Sequence, residues 1–272
     1  MSVTDDVQRP AQHTRDVELW GGRITVRVRH AGTGDPLLYL HPTTGPAWIP
    51  FLDRLAERYT VYAPEFPGTT DGDPYAIHVI DELSDVVLMY EELVRRLDLE
   101  RPVVVGHSFG GMLAAELAAH HTALPGRLVL IDPLGLWQAQ LPVVNLAAAP
   151  AEQIPGLLFC NPADPAIQAA LKPPADPAVA RAALVRRVWS MGCTGKFSWP
   201  FPEHGLRHRL HRIAAPTLLV WGREDRVVPL GYAREFAAQI SDATLAVIDE
   251  CGHLPPLERP KQTLAVLDEF LG

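Results

Sequence analysis

Three side chains far apart in the chain have the types that nucleophilic catalysis needs: Ser108, Asp225 and His253. A serine hydroxyl is a poor nucleophile at neutral pH. It needs a base to take its proton, most often a histidine, and the base needs an acid to orient it. Ser108 lies in Gly106-His107-Ser108-Phe109-Gly110, a G-x-S-x-G pattern. Such a pattern sets the serine on a sharp strand-to-helix turn with a strained backbone, where side chains at the two glycine positions would clash. A β-branched run, RPVVV, precedes the pattern and a helix-forming run follows it, which is the context the turn requires. Asp225 lies in VWGREDRVVP, just past a strand, and His253 in DECGHLPPLERP, between the last strand and the last helix. Asp132, closing RLVLID, and Glu224, beside Asp225, are rival acids, and Asp249 reads as a structural strand-end carboxylate.

Acyl chemistry at Ser108 would also need N–H donors for a developing oxyanion. One is expected from Phe109, the residue after the nucleophile. The second is expected from His41-Pro42-Thr43-Thr44-Gly45, after the apolar run LLYLH. Proline has no N–H, so the positional donor is Thr43 rather than Pro42. His41 reads mainly as a residue that holds this loop, with a place in the substrate pocket left open. Trp48, Trp137 and Trp189 are the other pocket candidates, while Phe159, Phe197, Trp199 and Phe201 are expected mostly to pack. An apolar, aromatic pocket with few polar groups suits an uncharged or weakly polar substrate of small to medium size.

The remaining candidates have duller readings. His107 is expected to pack, Glu65 to stabilise a turn, and Cys251 to be a small buried residue. His204, His208 and His211 recur at helical spacing, but arginines surround them and no acidic or thiolate ligand accompanies them, so no metal is expected. The basic stretch 204–212 reads as a solvated helix face.

The elements that must carry these groups alternate. Strands are expected at 17–20 and 24–32, joined by a Gly21-Gly22 hairpin, then at 36–41 and 60–68, with a helix over about 46–58 between the last two. Residues 81–98 give the clearest helix, with Leu83, Val86, Val87, Tyr90, Leu93, Val94 and Leu97 on one face, acids leading and arginines closing. Strands at 101–106 and 127–132 flank an alanine-rich helix. Alternation then stops for residues 133–212, where a helix is expected at 178–190 with Ala178, Ala182, Val185 and Trp189 on one face. It resumes with strands at 216–222 and 244–249 and helices at about 230–240 and 257–271. Such alternation implies a mainly parallel sheet covered on both faces, whose strand ends gather functional groups.

Composition is compatible with one domain over residues 1–272, with a core of about 17–132 and 213–272 and an insertion of about 133–212. Hydrophobic residues make up 47% and charged residues 21%, enough for a large core, with only about the first dozen residues polar and aperiodic. A net charge of −8 argues against a nucleic-acid partner, and no apolar run is long enough to cross a bilayer. Three cysteines without motif spacing argue against a disulfide framework. No basic start followed by an apolar run is visible, so no signal peptide is expected and the cytoplasm is the default compartment.

With LHPTTG, APEFPG, VVGHSFGG, LLVWGREDRVVP and CGHLPPLERP in this order, the chain resembles the α/β-hydrolases from about residue 17 to its end. The resemblance implies an eight-stranded, mainly parallel sheet flanked by helices, with a helical cap inserted after the sixth strand and a Ser–His–acid triad. It implies no metal or organic cofactor and a small-molecule substrate. The expected reaction is acyl-enzyme hydrolysis of a carboxyl ester, lactone or thioester. Open alternatives are carbon–carbon bond hydrolysis, cofactor-free oxygenation, a biosynthetic cyclisation, and a hydrolase-like binding protein with little turnover. Where the family often has His-Gly in the oxyanion loop, this chain has His41-Pro42, which puts that loop's shape in question.

Overall fold

The computed structural model describes residues 10–70, 73–199 and 203–272. Eight strands form one sheet: β1 (His13–Leu19), β2 (Ile24–Ala31), β3 (Pro36–Leu40), β4 (Thr60–Pro64), β5 (Val103–His107), β6 (Arg127–Ile131), β7 (Thr217–Gly222) and β8 (Ala243–Ile248). Their order is β1-β2-β4-β3-β5-β6-β7-β8. β2 runs antiparallel to β1 and β4, and every other pairing is parallel.

Nine helices accompany them among the described residues: α1 (Pro50–Leu55), α2 (Leu83–Arg96), α3 (Phe109–His120), α4 (Ile154–Leu158), α5 (Pro165–Leu171), α6 (Pro177–Gly195), α7 (Gly231–Gln239), α8 (Pro255–Glu258) and α9 (Pro260–Leu271). The central strands β3, β5, β6 and β7 are near-continuous apolar runs because both faces are covered. Leu38, Leu40, Val104, Leu128, Leu130 and Trp221 point to the side of α2, α3 and α7. Their neighbours Leu37, Tyr39, Val105, Val129, Ile131 and Val220 point to the side of α1 and α9. The period of two along a strand divides one continuous apolar run between two cores.

Prolines trim the predicted elements. The helix expected over 46–58 is only Pro50–Leu55, since Pro50 takes its first turn and the preceding Ile49 is held extended. The helix expected over 257–271 is split, because Pro260 forces Arg259 to φ −132°, ψ 56° and separates α8 from α9. α2 matches its pattern and is closed at its start by a reciprocal cap between Glu82 and Asp85.

The insertion between β6 and β7 carries α4, α5 and α6. The predicted face of α6 does not enter the core: Ala178, Ala182, Val185 and Trp189 border an open groove with Gly68 and Tyr75. The stretch 204–212 is not a solvated helix. It forms two short 3₁₀ turns, Leu206–His208 and Leu210–Arg212, with Leu206 and Leu210 fully buried. Arg209 clamps the buried Glu116 of α3 through two bonds of 2.6 and 2.9 Å, and Arg212 donates to the Ala119 carbonyl at 2.9 Å. The basic residues there fasten the insertion to the core. Among the described residues, no helix is long and apolar enough to cross a membrane.

Candidate active site

The turn between β5 and α3 holds Ser108 at φ 55°, ψ −114°, a conformation that costs a non-glycine residue energy. The flanking glycines make it possible. A Cβ on Gly106 would lie 2.3 Å from the Gly110 carbonyl oxygen, and one on Gly110 would lie 2.1 Å from the Leu40 carbonyl oxygen. Both obstacles are backbone and cannot turn aside. Ser108 N–H donates to Ile131 O at 2.9 Å, which ties the turn to β6.

The three expected groups meet at the carboxyl ends of β5, β7 and β8. His253 Nε2 lies 2.8 Å from Ser108 Oγ, and His253 Nδ1 lies 2.8 Å from Asp225 Oδ2. An ionised carboxylate only accepts, so Nδ1 carries the ring proton and Nε2 is left to accept from the serine. Asp225 is fixed in turn, because its Oδ1 accepts the N–H groups of Val227 (2.7 Å) and Val228 (2.9 Å). All three residues are buried.

The rivals have other roles. Glu224 Oε2 accepts the Cys251 N–H at 2.9 Å, and so braces the loop that carries His253. Asp249 is exposed and paired with Arg223. Asp132 is completely buried beside Asp225. Glu258 was not singled out by sequence reasoning. Its carboxylate accepts Gly252 N–H (2.6 Å), Cys160 N–H (2.9 Å) and Asn161 N–H (3.2 Å), and so joins the histidine loop to the insertion. Only its place five residues after His253, in HLPPLE, could have drawn notice. The His253 N–H also donates into the insertion, to Leu158 O at 2.8 Å.

Two neighbouring histidines are structural. His41 Nδ1–H donates to Pro42 O (2.8 Å), and its Nε2 accepts the Phe66 N–H (3.1 Å). Burial keeps His41 neutral and lowers its pKa to about 4. His107 donates to the His253 carbonyl at 2.8 Å; burial, then the nearby His253, lower its pKa to about 3. Glu65 is paired with Arg29 at 3.0 Å. Cys251 is fully buried, and burial pushes its thiol pKa well up, so it is no nucleophile.

A small void lies over Ser108, lined by Thr43, Leu134, Val144, Asn145, Leu146, Ala147, Met191, Trp199 and Val227. It is small, about 310 Å³ in volume. Thr43 borders this void together with Ser108, and Phe109 begins α3, where the first N–H groups lack intrahelical acceptors. The four pocket candidates do not line this void. His41 is spent on the loop; Trp48 donates to Asp53 at 2.8 Å, against the α1 side of the sheet. Trp189 faces the outer groove and donates to Gly68 O at 2.9 Å. Trp137 is half-exposed, with its backbone bonded to Glu203 and Arg207. Trp199, one of the aromatics expected mostly to pack, lines the void. Phe159 and Phe197 are buried in the core, and Phe201 lies outside the described residues.

His204, His208 and His211 are not gathered into a ligand set. Among the described residues, the one group of three metal-type ligands is Asp132, Asp225 and His253.

A serine on a strand-to-helix turn, a carboxylate and a histidine on later strand ends, and an insertion between β6 and β7 of a mainly parallel eight-stranded sheet match an α/β-hydrolase architecture. The chain belongs to the alpha/beta hydrolase family, whose model matches residues 37–266. It is 28% identical over 275 residues to a 2-hydroxy-6-oxo-6-phenylhexa-2,4-dienoate hydrolase of Comamonas testosteroni, covering 90% of this chain and 91% of that protein. Its fold is similar to that of the hydrolase with the same name from Rhodococcus sp. strain RHA1, with a TM-score of 0.76, 23% identity, and coverage of 96% and 99% of the two chains. It is also similar to a membrane phospholipase A described as a bacterial virulence factor, with a TM-score of 0.78, 22% identity, and coverage of 96% and 86%.

Proposed function

We propose that this protein is a serine hydrolase that cleaves a small, largely apolar carboxyl ester, lactone or thioester through an acyl-enzyme on Ser108. The observation that carries this reading is the unbroken chain of 2.8 Å contacts from Ser108 Oγ through His253 to Asp225. In the proposed cycle, Ser108 Oγ attacks the substrate carbonyl carbon while His253 Nε2 takes the hydroxyl proton. The N–H groups of Thr43 and Phe109 stabilise the oxyanion. His253 then passes the proton to the departing alkoxide or thiolate, which leaves an ester on Ser108. A water that loses its proton to His253 attacks this ester. The carboxylic acid product departs and the proton returns to Ser108. Asp225 holds the imidazole in the productive tautomer throughout.

A second reading, carbon–carbon bond hydrolysis, is favoured by the similarity to the 2-hydroxy-6-oxo-6-phenylhexa-2,4-dienoate hydrolase of Comamonas testosteroni. Charge favours the first. A dienoate carries a carboxylate that must be paired or solvated when buried, and among the described residues no lysine or arginine lines the void over Ser108. That lining suits a neutral substrate.

The test is intact-mass measurement after treatment with a small fluorophosphonate, on wild type and on Ser108→Ala. One adduct on wild type and none on the variant is expected, followed by turnover in a panel of neutral esters, lactones and thioesters. A folded wild type that stays unlabelled by the smallest probe overturns the reading and favours a binding protein. Labelling with turnover of a dienoate but no ester favours the second reading.

A further inference from the structure

The mechanism above makes no use of Asp132, yet this residue has no exposed surface. It closes β6 at φ 43°, a left-handed conformation, and its backbone N–H donates to Val220 O at 3.0 Å. Its side chain is thereby turned beneath the triad. A carboxyl oxygen of Asp132, one of Asp225 and a ring nitrogen of His253 all lie within 4.8 Å of one another. Two carboxylates so close in a buried site cannot both be charged without a cation to share, so one of them must hold a proton. The titratable groups facing Asp132 are Asp225, His253 and Cys251, and His107 packs on the far side of His253. None is a lysine or arginine.

Donor placement decides which carboxyl keeps the proton. Asp225 receives three hydrogen bonds: two backbone N–H groups on Oδ1 and the imidazole N–H on Oδ2. Each of these favours its charge. Asp132 receives one, from the Gly222 N–H to Oδ1 at 3.0 Å, while its Oδ2 is buried with no donor. An acceptor without a donor is costly as an anion, but it becomes satisfied once it carries the proton itself and Asp225 accepts from it.

We propose that Asp132 is a positioning residue, held as the neutral acid with its Oδ2 proton donated to Asp225, so that the triad acid is one half of a proton-sharing carboxyl pair. Burial, then the charge of Asp225, push the Asp132 pKa well above the carboxylate range, in the direction this arrangement requires. The donated proton gives Asp225 a fourth hydrogen bond, holds it from below, and takes up part of the charge it presents to the imidazole. This role rests on the reading of His253 as the base, but the protonation of Asp132 can be observed without catalysis.

The experiment uses the full chain with ¹³C-carboxyl aspartate, followed by NMR from pH 5 to 8. One resonance is expected to keep the shift of a protonated acid at pH 7 and to vanish in Asp132→Asn. If every aspartate has the carboxylate shift at pH 7, the proposal is overturned, whether or not Ser108 labels. The pH profile of Ser108 labelling gives the second arm. Asparagine tolerates positive φ and can donate to Asp225 while accepting from Gly222. Asp132→Asn should therefore keep the acid limb where wild type has it, whereas Asp132→Ala, which cannot donate, should move it to higher pH. A move to lower pH by about one pH unit in Asp132→Asn would mean that a negative charge had been removed near the imidazole, and would also overturn the proposal. Should the alanine variant fail to fold, wild type and the asparagine variant suffice. A complete absence of labelling would defeat the hydrolase reading and leave the carboxyl resonance to decide on Asp132.

Discussion

Asp225→Asn is the substitution whose effect the structure fixes most closely. The side chain keeps its size, so the question is which atom faces which partner. Two backbone N–H groups, from Val227 and Val228, converge on Oδ1 at 2.7 and 2.9 Å. An asparagine keeps both bonds only by placing its oxygen there, which turns its NH₂ group toward His253 Nδ1. Two donors would then meet. The imidazole escapes by moving its proton to Nε2, the nitrogen that lies 2.8 Å from Ser108 Oγ. In that tautomer it can no longer accept the serine proton. The opposite amide orientation saves the tautomer but breaks two backbone bonds, at a cost of about 1 kcal/mol or more each. The expected loss is about 10⁴-fold in the rate of Ser108 acylation, equivalent to about 5 kcal/mol of barrier, with little change in fold. The assay is the second-order rate of fluorophosphonate labelling by intact mass, with thermal unfolding as the control. A folded Asp225→Asn protein that labels within tenfold of wild type would refute the assignment of the orienting acid.

Four further expectations follow from the same geometry. Gly110→Ala drives a Cβ to 2.1 Å from the Leu40 carbonyl and should cost about 3 kcal/mol or more; a urea midpoint equal to wild type would contradict the turn geometry. Arg209→Met leaves the Glu116 carboxylate, which is 1% exposed, with only His120 beside it at 3.5 Å, and should cost about 3 kcal/mol; a loss below about 0.5 kcal/mol would mean that the clamp is idle. His41 and His107, with pKa values lowered to about 4 and about 3, bind protons more readily unfolded than folded. Their contribution to stability should be present above about pH 6.5 and be lost as pH falls through 4. Denaturant titrations at pH 7 and pH 4.5 check this, and His107→Gln should flatten the difference. Met191→Ala enlarges the small void over Ser108. It should speed labelling by bulky fluorophosphonates relative to small ones, and an unchanged ratio would show that Met191 does not limit access.

The comparison of sequence with structure separates by the range of the physics involved. The strand-to-helix turn at Ser108 was legible because its constraint is local. A strained Ser108 between two glycines reads directly from five residues, and the same holds for the amphipathic face of α2 and the apolar runs of the central strands. His253 and Asp225 were legible because strand ends in an α/β sheet converge, so position along the chain implies position in space. Local rules also accounted for most of what was misjudged in the core. Pro50 and Pro260 shorten or break helices whose hydrophobic spacing alone runs on.

The insertion behaved differently. Its aromatics carry no periodic signal that tells inner from outer, and the structure put Trp189 on an open groove, Trp137 half in solvent and Trp199 over the serine. The basic stretch 204–212 has the composition of a solvated face, but Arg209 meets a glutamate 93 residues away. A contact at that separation is invisible to spacing. The sequence by itself determined the residue types of the triad, the sheet that aligns them and the glycines that let Ser108 stand on its turn. Only the tertiary structure decided that Asp225 rather than Asp132 bonds the imidazole and that Asp132 lies buried beside it with one carboxyl oxygen, Oδ2, lacking a donor. Both outcomes depend on which backbone N–H groups reach which carboxyl oxygen, a matter of a few tenths of an ångström that no one-dimensional pattern records.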